Sequence, residues 1–245
     1  MMLFSEARHR DLLDVVDRMR ARIRASTTLE AAAQDAIAAV CDAFTENEVL
    51  ARMFITLPFA QLPEPLRRAA WSVVEAQSLQ ATMSETTPVL SLLATGGKDP
   101  AWRSRHTSRG HAAIPLCSKV FVDSIPMVAR MLQEMGIDLG LTIAGEPWLG
   151  GSGWTGLFHV EDARSARDEL GRRIIPAVDF IEAHHVRTVF GLGKSYANGS
   201  IASLVVFANS LIPRERIEAL APLINGFKAG TMHHVANGRI FAAGQ

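Results

Sequence analysis

The sequence predicts an α+β domain: a mostly antiparallel sheet with helices packed on one side of it, plus an N-terminal helix. Three observations predict this class. From His185 to Thr231 the chain reads as strand, tight turn, strand and closing helix in unbroken order. Upstream, short β-prone runs alternate with helical ones. The N-terminal region carries two successive helical patterns. Antiparallel strands that bury one face under helices are among the few stable layered solutions open to such an order.

The elements follow from spacing and punctuation. Leu12, Val15, Val16, Met19 and Ile23 recur at helical spacing among Asp and Arg, a narrow apolar stripe that could serve a partner helix. Thr27 and Thr28 can cap a second helix, Leu29 to Phe44, whose broader apolar face suits a core. Met53, Ile55 and Leu57 alternate against Phe54 and Thr56 in a strand over Val49 to Phe59 that Pro58 closes. Pro63 and Pro65 introduce a helix running to about Gln80. Val89 to Ala94 is a buried strand ending at Gly96-Gly97, and Ala112 to Leu116 a shorter one, with the polar loop Lys98 to Gly110 between them. Phe121 to Leu132 is helical, with Pro126 restarting it and Gly136 ending it. Leu139 to Ile143 and the run through Leu157, Phe158 and Val160 are strands flanking a Gly-rich loop with Trp148 and Trp154. Charged residues from Glu161 to Arg173 form a solvated connection to a short helix ending at His184 or His185.

The closing module is the clearest. Val186, Thr188, Val189, Phe190 and Leu192 form one strand, Asn198-Gly199 turns the chain, and Ile201 to Phe207 returns. Pro213 then opens a helix with Ile217, Leu220, Ala221, Ile224 and Phe227 on one face. Residues 1–26 are thus expected to be an appended amphipathic helix, 27–231 the domain and 232–245 a C-terminal tail.

Composition narrows the function classes. With 245 residues, 48% hydrophobic and 20% charged, the chain can build a core without disulfides. Its formal net charge is zero, so no global field steers it to nucleic acid or an anionic membrane. No signal-peptide core and no run of eighteen apolar residues is present. Cys41 and Cys117 are far apart and outside metal or redox motifs, which suits a reducing cytoplasm.

The closing pattern, Val186-Arg-Thr-Val-Phe-Gly-Leu-Gly, then Asn198-Gly-Ser-Ile-Ala-Ser-Leu-Val-Val-Phe, then the helix from Pro213, resembles the end of GAF-type sensory domains. Helix Leu29 to Phe44 is similar to the helix opening that fold. His111-Ala-Ala-Ile-Pro-Leu-Cys-Ser and Phe121-Val-Asp-Ser-Ile-Pro-Met-Val resemble GAF-like regions found ahead of bacterial histidine kinases. The resemblance covers about residues 28 to 230 and implies a PAS-like build and a sensory role. It leaves the ligand open, because such domains bind cyclic nucleotides, tetrapyrroles, haem, amino acids or nothing known. With only a short segment after residue 230, a signal is expected to leave through a homodimer or a partner protein.

Gly191-Leu-Gly-Lys-Ser195 lacks the preceding glycine of a phosphate loop and runs on into a hairpin, so Gly191 and Gly193 read as strand irregularities or bulges. Arg103, Arg105, His106, Arg109 and His111 form the densest cationic loop and could grip an anion at a pocket mouth. The expected cavity lies between the sheet and the Phe121 to Met135 helix. Phe121, Phe158, Phe190 and Cys117 would be its walls and Arg109 or His111 its polar anchors, with Ser118 and His159 also at the ligand. A tetrapyrrole is one candidate, with His111 or His159 as axial haem ligand. The adjacent pairs His184-His185 and His233-His234 do not form a chelating spacing. Met127, Met131 and Met135 read as core filling. The expected function is a small-molecule-binding sensory module, more a regulator than an enzyme. The alternatives are a redox enzyme using Cys117 near a helix start, or a ligand-free interaction module that dimerises through its first helix.

Overall fold

Leu12, Val15, Val16, Met19 and Ile23 are all buried along α1 (His9–Ile23), and the face that covers them belongs to the same chain. The computed structural model describes residues 2–44, 48–108, 110–138, 140 and 155–242. Thr28 caps α2 (Leu29–Ala43), its Oγ1 accepting from the Ala31 amide at 3.2 Å. Alanines 32, 33 and 36 give α2 a smooth face that lies close on the sheet.

Among the described residues six strands form one sheet in the order β3-β2-β1-β6-β5-β4, every neighbouring pair antiparallel. They are β1 (Glu48–Pro58), β2 (Pro88–Gly97), β3 (Ala113–Pro115), β4 (Gly156–Val160), β5 (Thr188–Ser195) and β6 (Ile201–Ala208). Apart from Gly140, the expected strand over Leu139 to Ile143 and the Trp148 and Trp154 loop fall outside the described residues. Helix α3 (Glu64–Glu75) follows β1 and stops short of Gln80, because the chain turns through Ser78 at φ 57° into a 3-10 turn. Pro126 divides the next helical stretch into α4 (Lys119–Asp123) and α5 (Pro126–Glu134). Then come α6 (Val178–Ala183), α7 (Arg214–Glu218) and α8 (Ala221–Ala236).

Helices cover both faces of the sheet, not one. A first core holds α1, α2 and α8 against Ala51, Met53, Ile55, Phe190, Leu192 and Val206. A second holds α4 and α5 against Phe54, Leu92, Phe158, Val189 and Val205. In α8 the missing side chain of Gly226 sets the closeness of α1, since a Cβ there would stand 2.6 Å from Val16. Gly191 and Gly193 are not bulges. Both pair in register with β4 and β6, and Gly191 is bare because Met135 and Phe158 occupy the space above it. The irregularities flank β1: Val49 is the extra residue against β6, and Leu93 of β2 the extra residue opposite Met53/Phe54.

Both chain ends are folded onto the first core. Phe4 stacks on Phe44 with ring centroids 4.0 Å apart. The Leu29 and Glu30 amides, unpaired within α2, donate to the carbonyls of Arg239 and Ile240 at 2.9 Å each. Helix α8 runs five residues beyond Thr231. On its last turn His234 is buried with neither ring nitrogen hydrogen-bonded. Burial and the neighbouring charges of His233 and Arg239 hold its pKa below the ordinary imidazole value. The unfolded chain therefore binds the proton more readily, and stability falls as pH drops through the unfolded value of about 6.5. Lowering the pH from about 7.5 to 5.5 is expected to lower the Tm, and His234→Leu to narrow that drop in thermal melts at the two pH values. An unchanged drop would place the acid sensitivity elsewhere.

Candidate functional site

One row of side chains crosses the second face of the sheet: Phe158, Gly191, Val205, Arg52 and Thr95, each opposite the next in register. Phe158, Gly191 and Val205 suit an apolar core. Arg52 does not. It stands in the same phase of β1 as Leu50 and Phe54, only 9% exposed. One Nη donates to the His111 carbonyl at 3.2 Å, while Nε is buried with no hydrogen-bond partner. The guanidinium lies 5.3 Å from the Phe54 ring centroid. Among the described residues no carboxylate pairs with it, and burial brings its pKa down from the ordinary guanidinium value to about 10. Opposite it Thr95 is fully buried, and its Oγ1 has no partner either. Two adjacent polar groups are thus desolvated and unsatisfied on a face otherwise lined by apolar residues, an arrangement native cores rarely tolerate without a function.

Aromatic side chains border this pair. One register step along, Leu50 stands opposite Gly97 and Phe207, and a Cβ on Gly97 would come within 2.9 Å of Trp102. Phe180 of α6 meets both Trp102 and the edge of Phe207, at centroid distances of 5.6 and 5.5 Å. His111 is exposed at the rim, where burial of its inner side and the Arg52 charge lower its pKa. The loop carrying it is anchored below by Arg105, which pairs with Glu30 at the start of α2.

The residues picked out from sequence do not converge. Cys117, Phe121 and Phe158 share the second core with this row, and Ser118 caps α4 by accepting from the Phe121 amide at 3.1 Å. Phe190 belongs to the opposite face, with its ring edge against Phe4 at 5.4 Å, so it cannot wall the same cavity. His159 also lies opposite, in register with Phe190. Its Nε2 donates to the Ile212 carbonyl at 3.0 Å, and burial keeps its pKa below the ordinary value. That nitrogen is not presented to a macrocycle and His111 sits at the rim, so neither histidine fits an axial haem ligand within this core. Arg109 lies outside the described residues. Arg52 and Thr95 were missed.

A surface cleft of about 440 Å³ beside β4 is lined by Glu134, Arg214 and Glu218 among others. There Arg130 donates to Glu134 at 2.7 Å, and the outward amide and carbonyl of His159 bond Glu134 and Arg130 at 2.8 and 3.1 Å. These contacts cap part of the exposed edge of β4. Among the described residues no cluster of His, Cys, Asp and Glu could hold a metal ion, and no helix is long and apolar enough to cross a membrane.

No protein-family model matches the chain, and no curated protein matches it by sequence. Solved structures do match it. The GAF domain of a phosphoenolpyruvate-protein phosphotransferase from Coxiella burnetii superposes with a TM-score of 0.51 at 11% identity, over 95% of this chain and 99% of that one. The fold is that of a GAF domain. Two further GAF domains also align. One is from an Acinetobacter phosphoenolpyruvate-protein phosphotransferase, with TM-score 0.49, 15% identity and coverage of 94% and 98% of the two chains. The other is the phycoerythrobilin-bound domain of a cyanobacterial phytochrome, with TM-score 0.48, 14% identity and coverage of 92% and 97%. In this GAF fold the Arg52 row lies on the sheet face that α4 and α5 cover.

Proposed function

We propose that the protein is a sensory or regulatory GAF module that binds a small molecule between the sheet and the α4–α5 layer. The observation that carries this reading is the buried Arg52–Thr95 pair, whose Nε and Oγ1 have no hydrogen-bond partner among the described residues. Leaving such groups unsatisfied costs about 1–3 kcal/mol each, and a bound polar ligand offsets that cost. The aromatic border of Phe54, Trp102 and Phe207 supplies the apolar contact typical of small-molecule sites. Ligand binding would pass to a homodimer or partner protein through the strands and helices flanking the row. The apolar stripe of α1 does not serve as the dimer seam, since it is spent within the chain on α2 and α8. Thiol chemistry gains no support, because Cys117 is a buried member of the apolar second core.

A broad metabolite panel containing neutral and charged compounds tests this by thermal shift, alongside native mass spectrometry of the protein as purified. A ligand at 100 times its Kd stabilises the folded form by about 2.7 kcal/mol, which for a domain of this size raises the Tm by roughly 5–10 °C. No shift from any class of compound, together with an unliganded native mass, would leave the interaction-module reading in its place.

A further inference from the structure

The chemistry of the ligand can be argued further, resting on the reading of this face as the ligand site. Arg offers a planar fork of donors that matches the two oxygens of a carboxylate or the edge of a phosphate. Here Nε meets no acceptor among the described residues, while one terminal nitrogen donates to the His111 carbonyl. That bond holds one end of the guanidinium and leaves the buried Nε as an unused donor. Thr95 stands directly opposite Arg52 across β1 and β2, so its hydroxyl adds a neutral donor beside the charged one. Arg130 and Arg187, on the same side of the sheet, are committed to Glu134 and Asp162. Among the described residues Arg52 has no such carboxylate partner, and a buried cation without a counter-charge is stabilised by whatever anion reaches it. His111, whose backbone carbonyl it grips, is itself exposed.

We propose that Arg52 and Thr95 form an oxyanion site for a small organic acid or phosphate monoester, whose apolar body lies against Phe54, Trp102 and Phe207. The site selects by charge at one end and by flat apolar contact at the other. Because Trp102 and Phe207 stand one register step from Arg52, the acid group and a single ring can be satisfied together.

Isothermal titration of the full chain with phenylacetate, phenyl phosphate and phenylacetamide tests the proposal. The anions are expected to bind and the isosteric amide to bind at least about 10-fold more weakly. Arg52→Gln is expected to weaken the anions by about 10- to 100-fold, the range of one or two charge-assisted hydrogen bonds. Arg52→Lys should recover part of the loss for phenyl phosphate and less for the carboxylate, which needs the fork. Thr95→Val, nearly isosteric, gives a second variant in which the fold is least disturbed, with about a 3- to 10-fold loss expected. Preference between the two anions identifies which oxyanion the site takes. Amide binding equal to acid binding, or acid binding unchanged in both Arg52→Gln and Thr95→Val, overturns the oxyanion assignment while leaving the small-molecule reading standing. Binding of none of the three probes to the wild-type protein also overturns it, and the neutral members of the metabolite panel then decide the broader reading separately.

Discussion

Phe4→Ala is expected to lower the stability of the protein by about 3–5 kcal/mol, the usual cost of emptying a buried aromatic site. In a domain of this length that corresponds to a fall in Tm of roughly 6–20 °C. Phe4 precedes the first helix, where end-fraying would ordinarily make a substitution silent. Here it is 1% exposed and central to an aromatic trio, stacked on Phe44 at 4.0 Å and meeting the edge of Phe190 at 5.4 Å. Its neighbours are also tied down: the Met2 amide donates to the Ala43 carbonyl at 3.2 Å, and Arg216 Nε donates to the Ser5 carbonyl at 2.6 Å. Removing the ring therefore opens a void between α2 and the sheet, which the surrounding helices cannot close without losing those bonds. Leu13→Ala, on the exposed side of α1, is the control and should change stability by less than about 1 kcal/mol. A change of under about 2 °C for Phe4→Ala, measured by calorimetry, would show that the N-terminal segment does not belong to the first core.

The same trio shows where sequence patterns stop. Helical spacing located α1 and its stripe correctly, yet the stripe looked available to a partner because nothing local reveals that α8 lies against it. The hairpin and its closing helix were legible because their signals, Asn198-Gly199 and Pro213, are local. Which sheet face a residue occupies was not. Alternation places Phe158 and Val160 on one side of β4 and His159 on the other, but it does not relate β4 to β5. The register does, setting Phe158 against Gly191 and His159 against Phe190. Arg52 could have been found. Leu50, Arg52 and Phe54 share a phase, and a charged residue in the inward phase of an otherwise apolar strand is a warning that the core there holds something polar. The Arg103 to His111 loop drew attention by its charge density instead. Density favours solvated arginines, whereas a single cation inside an apolar run is the more telling arrangement.

Arg52→Met is expected to stabilise the ligand-free protein by about 1–4 kcal/mol while removing its anion binding. A buried ion replaced by an apolar side chain of similar length is commonly neutral or stabilising, because the desolvation cost disappears. The pKa gives the sign. Burial lowers the guanidinium from its ordinary value to about 10, so the charged form is less favoured in the folded protein than in the unfolded chain. Below pH 10 both states carry the charge, and the desolvation penalty acts in full at neutral pH. Only above pH 10 does the folded state shed the proton first, so the contribution of this group to stability rises with pH there. Methionine removes the penalty over the whole range, at the cost of the one bond to His111, worth about 0.5–1.5 kcal/mol to a neutral acceptor and somewhat more from a charged donor. Chemical denaturation of the two proteins at pH 7 measures the difference, and added phenylacetate should narrow it by stabilising the wild type alone. If Arg52→Met lowered the stability of the ligand-free protein by more than about 2 kcal/mol, Arg52 would be a structural strut satisfied within the fold. If it raised it, the chain would carry at this position a group whose cost only a ligand repays, which is the physical signature of a binding residue in an otherwise apolar core.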